Sequence, residues 1–142
     1  MSIEVRAYRR SDRGACAGIF ERAWAHAFPF IPREIDGAIF DAETKDETIL
    51  VAQDNRALTG FASVYTPDDF LHHLYIDPDF HGRGAGRALV NAALTMAKRP
   101  ISLKCALGNT RALTFYAHLG FSEGERGADQ YGPWVLLSAP AL

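Results

Sequence analysis

The chain is short of cysteine, of charge imbalance and of long apolar runs. Its two cysteines, Cys16 and Cys105, each sit among apolar neighbours. The two could in principle pair, but 89 residues apart among apolar neighbours they read better as buried thiols in a reducing compartment than as a disulfide framework. Fifteen Lys+Arg against seventeen Asp+Glu leave a formal charge of −2, so no basic field points to nucleic acid or to an anionic membrane, and neither is expected as a partner. No stretch approaches the length of a membrane span, and the charged start MSIEVRAYRR has no apolar segment behind it. A cytoplasmic enzyme or binding protein for a small ligand is therefore expected. Repeats, linkers and low-complexity tracts are missing as well, and 142 residues at 48% hydrophobic suit one domain.

What is present is a regular succession of strand and helix patterns. Residues 3–8 alternate apolar and polar, the period of a half-buried strand. Ser11-Asp12 offers an N-cap to a helix reaching Ala27, which Pro29 and Pro32 end. A second short helix is expected over residues 33–40 with Ile35, Ile39 and Phe40 inward. The apolar corner between them, with Trp24, Phe28, Phe30 and Ile31, reads either as packing between helices or as the lining of a substrate pocket. Residues 48–53 and 58–65 form a hairpin through Asp54-Asn55-Arg56. Strand 71–77, helix 84–98, strand 101–107, helix 109–119 closed by Gly120, and strands 121–126 and 134–138 complete the chain. The order β-α-α-β-β-β-α-β-α-β-β predicts an α/β fold with helices packed on a mixed sheet.

Between strand 71–77 and helix 84–98 lies His81-Gly82-Arg83-Gly84-Ala85-Gly86. Glycine lets a backbone approach its ligand closely, and a helix beginning here aims unpaired N–H groups and a positive dipole end into the loop. A phosphate is the expected occupant, with Arg83 and Arg87 adding charge. Spacing excludes two nucleotide loops: Gly86-Arg87-Ala88 lacks the Lys-Ser/Thr ending of a Walker motif, and Arg87 stands where the dinucleotide fingerprint needs glycine.

Residues 74–86, LYIDPDFHGRGAG, resemble the signature of the GNAT N-acetyltransferase superfamily, Gln/Arg-x-x-Gly-x-Gly/Ala after an apolar strand, with His81 in place of the usual Gln or Arg. A second block, Asn109-Thr110-Arg111-Ala112-Leu113-Thr114-Phe115-Tyr116 followed by Leu119-Gly120-Phe121, resembles the family's Asn-x-x-Ala-x-x-Phe-Tyr…Gly-Phe motif. The resemblance covers essentially the whole chain and implies a GNAT-like, mostly antiparallel mixed sheet flanked by helices.

It also implies acetyl-CoA in a V-shaped opening between strands 71–77 and 101–107. Leu74, Tyr75, Ile76, His81, Gly82, Arg83, Gly84, Ala85, Gly86, Arg87 and Asn109 would then bind it. The pyrophosphate would lie on the N–H groups of residues 82–87, the pantetheine would pair with Leu74 and Ile76, and the Leu74 N–H would polarise the thioester carbonyl. Tyr116 matches the family's general acid, with Phe115 packing beside it. The family's usual glutamate position is occupied by Phe70. Alternation puts His72 on the same face, so His72 is the expected base and part of the acceptor site, with Asp69 a weaker candidate; His73 is expected on the opposite face. Two histidines facing opposite ways cannot share an ion, and Cys16, Cys105, His26 and His118 show no ligand spacing, so no metal is expected. Trp24, Phe28 and Phe30, with residues 129–131 and Trp134, are expected to shape the acceptor pocket.

The leading expectation is acetyl transfer to a primary amine of a small molecule by direct attack in a ternary complex, since Cys105 lies in no acyl-enzyme motif. The alternatives are a protein or peptide amine, N-terminal or lysine, as acceptor, and a non-catalytic acyl-CoA-binding module. A homodimer through the terminal strands is common among similar proteins.

Overall fold

The computed structural model describes residues 3–141. Its elements are β1 (Ile3–Ala7), α1 (Arg13–Ala27), α2 (Gly37–Glu43), β2 (Thr48–Asp54), β3 (Ala57–Tyr65), β4 (Phe70–Ile76), α3 (Ala85–Met96), β5 (Ser102–Ala106), α4 (Thr110–His118), β6 (Ser122–Asp129) and β7 (Gly132–Ser138). This is the predicted order. The strands form one sheet, β1-β2-β3-β4-β5-β7-β6, antiparallel throughout except where β4 runs parallel to β5.

Both faces of the sheet are covered, which is why β2 and β3 read as nearly continuous apolar runs. Val51 and Phe61 pack under α1 and α2 with Cys16, Phe20, Trp24 and Phe40. Their neighbours Ala52 and Ala62 face the other way, into a core with Leu89, Val90 and Ala93 of α3 and Val135 and Leu137 of β7. Alanines at those two positions let α3 lie close to the sheet.

Two helix starts differ from expectation. Asp12 makes no side-chain cap to α1; its carboxylate accepts from Arg6 at 2.9 and 3.0 Å and from the Arg9 N–H at 2.8 Å, tying β1 to the turn before the helix. The second helix begins at Gly37 rather than Arg33, because Asp36 caps it by accepting from the Ile39 N–H at 2.9 Å. Residues 33–36 stay outside the helix. Arg33 lies over the rings of Trp24 at 4.6 Å and Phe20 at 5.3 Å, and the Ile35 N–H donates to Glu21 at 2.8 Å. Ile35 and Phe40 are buried as expected, whereas Ile39 faces outward.

Two irregularities in the sheet position the site. Strands β4 and β5 pair only at Phe70 and Ser102, so they splay apart beyond their starts. And the β3–β4 ladder slips: Ser63 faces His73 while Val64 faces Leu71, which leaves His72 as the extra residue of a bulge.

Candidate active site

The splay opens a groove of about 730 Å³. Leu74, Tyr75 and Ile76 of β4 form one wall, α4 with the Leu119 that follows it the other, and Ala23, His26 and Ala27 of α1 the rim. The glycine loop and the first turn of α3 close one end. Gly82 and Gly84 have φ of +79° and +89°, a region that disfavours any side chain. Gly86 serves another purpose: a Cβ there would meet Phe115 at 3.2 Å, so its absence lets α3 and α4 close around the groove. With Gly84 as N-cap, the free N–H groups of Ala85, Gly86 and Arg87 open toward the groove end, a site suited to phosphate.

His81 lines this end beside His26, ring to ring at 5.3 Å. Burial, followed by the nearby Arg111 and His26 charges, lowers its pKa, so the ring is neutral near pH 7. Asp77 anchors the loop from behind, accepting from Arg22 at 2.7 Å and from the Asp79 N–H at 3.1 Å. Asn109 caps α4 through the Ala112 N–H at 3.1 Å, as its type predicts, and also lines the groove.

Tyr116 is buried yet lines the groove. Burial drives its pKa far above the ordinary value, so it carries its proton at any working pH. Cys105 is pushed up to about 11 by burial, which keeps it a thiol and a poor nucleophile.

The bulge corrects the expectation for the two histidines. Leu71 and Leu74 both turn into the α3 core, while His72 and His73 stand together on the α1–α2 face with rings 3.9 Å apart. Uniform alternation had separated them, and one extra residue undoes it. They meet Glu47, from the loop before β2, which sequence reasoning missed. His72 Nδ1–H donates to Glu47 Oε2 at 2.6 Å, and Ser63 Oγ donates to Glu47 Oε1. His73 is buried against Phe20 and Tyr75; its Nδ1 is 3.0 Å from Ser63 Oγ and its Nε2 is 3.5 Å from Glu43 Oε1. Burial works against a charge on His73, yet the contacts to Glu43 and Glu47 outweigh it and its pKa is raised. The His73 contact in turn lowers Glu43 to about 2. The premise for excluding a metal fails on this geometry, because Glu47, His72 and His73 each offer a ligand atom within 4.8 Å of the others.

None of the expected acceptor residues lines the groove: His72 lies on β4 two residues ahead of the wall residue Leu74, and residues 129–131 and Trp134 are outside it as well. Trp24 is buried, donating Nε1–H to the Ile31 carbonyl at 2.7 Å with Phe28 and Tyr131 against its ring. Phe28 is part of that cluster, and Phe30 is 94% exposed. Packing between helices is thus what the apolar corner does. Asp69 is likewise committed elsewhere: its carboxylate takes the Arg99 N–H at 3.2 Å at the junction of β4 and β5.

The Acetyltransferase (GNAT) family matches residues 14–121. The chain belongs to that family. This GNAT N-acetyltransferase is 33% identical over 126 residues to Uncharacterized N-acetyltransferase Rv2669 of Mycobacterium tuberculosis, covering 79% of this chain and 81% of that one. A 59-residue stretch is 44% identical to Uncharacterized N-acetyltransferase MJ1207 of Methanocaldococcus jannaschii, 39% of this chain but only 26% of the relative's length. Peptidyl-lysine N-acetyltransferase YjaB of Salmonella typhimurium is 27% identical across 97% of both chains. The solution structure of apo YjaB from Escherichia coli superposes with a TM-score of 0.81 at 26% identity, covering 98% of each chain. PaiA N-acetyltransferase of Thermoplasma acidophilum, solved in complex with coenzyme A, shares the fold with a TM-score of 0.79 at 19% identity, over 97% of this chain and 99% of that one. Among the described residues, no helix is long and apolar enough to cross a membrane.

Proposed function

We propose that this protein transfers the acetyl group of acetyl-CoA to a primary amine by direct attack in a ternary complex. The observation that carries the reading is the His72–Glu47 pair. Glu47 takes the Nδ1–H of a half-exposed imidazole at 2.6 Å, which fixes the tautomer and leaves Nε2 with a free lone pair. That arrangement suits a proton acceptor beside the strand that forms the groove wall.

The residues of the groove fit acetyl-CoA. The N–H groups of Ala85 to Arg87 receive the pyrophosphate, with Arg87 and His81 beside it; Arg83, expected there too, is outside the groove lining, over the Phe80 ring at 5.2 Å and 3.9 Å from Asp54. Among the described residues the β5 side of β4 has no strand partner beyond Phe70, so the backbone around Leu74 is open to the pantetheine amides. The Leu74 N–H polarises the thioester carbonyl. His72 Nε2 takes the proton of the attacking amine, directly or through water, as the N–C bond forms. The C–S bond breaks, and the Tyr116 hydroxyl, held protonated by burial, supplies the proton to the departing thiolate.

The acceptor we favour is a lysine side chain of a protein. His72 is 42% exposed, which lets a surface side chain reach it, and a relative alike over 97% of both chains, YjaB, is named a peptidyl-lysine N-acetyltransferase. A small-molecule primary amine is the second reading; the part-buried carboxylates Glu43 and Glu47 beside His72 favour a compact cation. The test is thiol release and product mass with acetyl-CoA and a panel of lysine peptides, N-terminal peptides and small amines. Acetylation on lysine side chains is expected, turnover with small amines alone would select the second reading, and no turnover with any amine would leave a non-catalytic acyl-CoA-binding module.

A further inference from the structure

The cluster on the α1–α2 face is more fully built than a base and its orienting carboxylate require. Its donors are two imidazoles and one carboxylate, drawn from the β4 bulge and the loop before β2. The His72 Nδ1 to Glu47 Oε2 separation is 2.6 Å and the His73 Nδ1 to Glu47 Oε1 separation is 3.9 Å. Ligand atoms around a tetrahedral zinc ion stand about 3.3 Å apart, from bonds of about 2.0–2.1 Å. The two separations involve different oxygens of Glu47; with one ligand atom from each residue, the three lie within 4.8 Å of one another, so closing on an ion needs a contraction that His72, half exposed, has room to make.

A second layer of contacts is already in place. A metal-bound histidine characteristically gives its other N–H to a carboxylate, and His73 Nε2 faces Glu43 Oε1 at 3.5 Å while Nδ1 faces the cluster. Glu47 is itself held by the Ser63 hydroxyl. Glu47 and His73 are nearly sealed, with side-chain exposures of 8% and 5%, and His72 closes the open side. Two nitrogens and one carboxylate oxygen suit zinc with a fourth position open, whereas calcium and magnesium demand oxygen.

We propose that Glu47, His72 and His73 form a three-ligand site for a divalent transition-metal ion of the zinc class, whose occupancy excludes acetyl transfer. The inhibition rests on the base role proposed above for His72; the binding does not.

The test is spectroscopic and independent of turnover. The protein, treated with chelator and freed of it, is titrated with Co²⁺, and Zn²⁺ is then used to displace it. Saturable one-to-one uptake is expected, with the visible d–d bands of a four-coordinate ion. His72→Ala, whose half-exposed side chain leaves the core intact, should abolish those bands, with its fold checked by melting in chelator. Glu43→Gln should keep the bands and weaken uptake about 10–100-fold, as loss of an outer-shell carboxylate does. Absence of saturable uptake, or uptake unchanged in His72→Ala, overturns the proposal. So does uptake that survives His72→Ala and disappears in His26→Ala, since the ion would then belong to the His26–His81 pair.

Discussion

Replacing Glu47 by Gln changes one charge and almost no volume, which makes it a clean perturbation of the proposed base. Glutamine can still accept the His72 Nδ1–H, so the imidazole keeps its tautomer; what goes is the charge-assisted part of a 2.6 Å contact. Hydrogen bonds to charged groups contribute about 1.5–3 kcal/mol against about 0.5–1.5 kcal/mol for neutral ones, which puts about 1–2 kcal/mol at stake. The Glu47 side chain is only 8% exposed but His72 is 42% exposed, so water screens part of that difference and the lower half of the range is the firmer expectation. If the imidazolium formed in the transition state depends on it, kcat falls about 5–30-fold, with each 1.4 kcal/mol worth about tenfold. The KM for acetyl-CoA should not move, because Glu47 does not line the groove. Ser63→Ala, which removes the other hydrogen bond to Glu47, should cost less, about 2–5-fold. Thiol release at saturating acetyl-CoA and amine measures both, with melting temperatures as the folding control. A Glu47→Gln enzyme within about twofold of wild type, at equal stability, would refute the dyad, since a 2.6 Å hydrogen bond to a buried carboxylate predicts a larger loss.

Three other outcomes follow from the groove. Gly84→Ala places a side chain at φ +89° with only Ile3 nearby at 4.0 Å, so its cost is backbone strain of about 1–2 kcal/mol. For a chain of this size that lowers the melting temperature by about 3–6 °C, and calorimetry should show weaker CoA binding as well. His81 has a lowered pKa in the free protein, and a bound pyrophosphate would raise it. CoA binding would then take up a proton, be tighter at low pH and weaken as pH rises through the raised value; His81→Gln should flatten that dependence in calorimetric titrations between about pH 5.5 and 8. Tyr116→Phe should lower kcat while leaving acetyl-CoA affinity intact, and equal turnover by the two enzymes would remove Tyr116 as the acid.

The parts of this account legible in the sequence are those written in local pattern. The strand and helix order follows from hydrophobic period and from Gly, Pro and Asn punctuation, and the groove end from glycines whose φ values require them. The start of α2 was displaced because Arg33 is held by aromatic faces and Ile35 by Glu21, contacts between distant segments that outrank local propensity. The His72–His73 arrangement was invisible for a related reason. A bulge is defined by its partner strand, and nothing in residues 70–76 alone announces that Ser63 will pair with His73. Glu47 lies 25 residues from His72 and has no motif; a carboxylate just ahead of a strand destined to lie two places from β4 is the one signal that pairing logic offers. Trp24 and Phe28 had the composition of a pocket and the role of a core, a distinction composition does not make.

The central claim is that His72 takes the amine proton while the groove holds acetyl-CoA. It is tested most directly by measuring, for His72→Ala beside wild type, the acetyl-CoA dissociation constant by calorimetry and kcat with a lysine peptide, with and without added imidazole. The account predicts an unchanged dissociation constant and a kcat lower by about 100-fold or more, partly restored by imidazole. An unchanged kcat would contradict it, as would a loss of rate matched by a loss of acetyl-CoA binding.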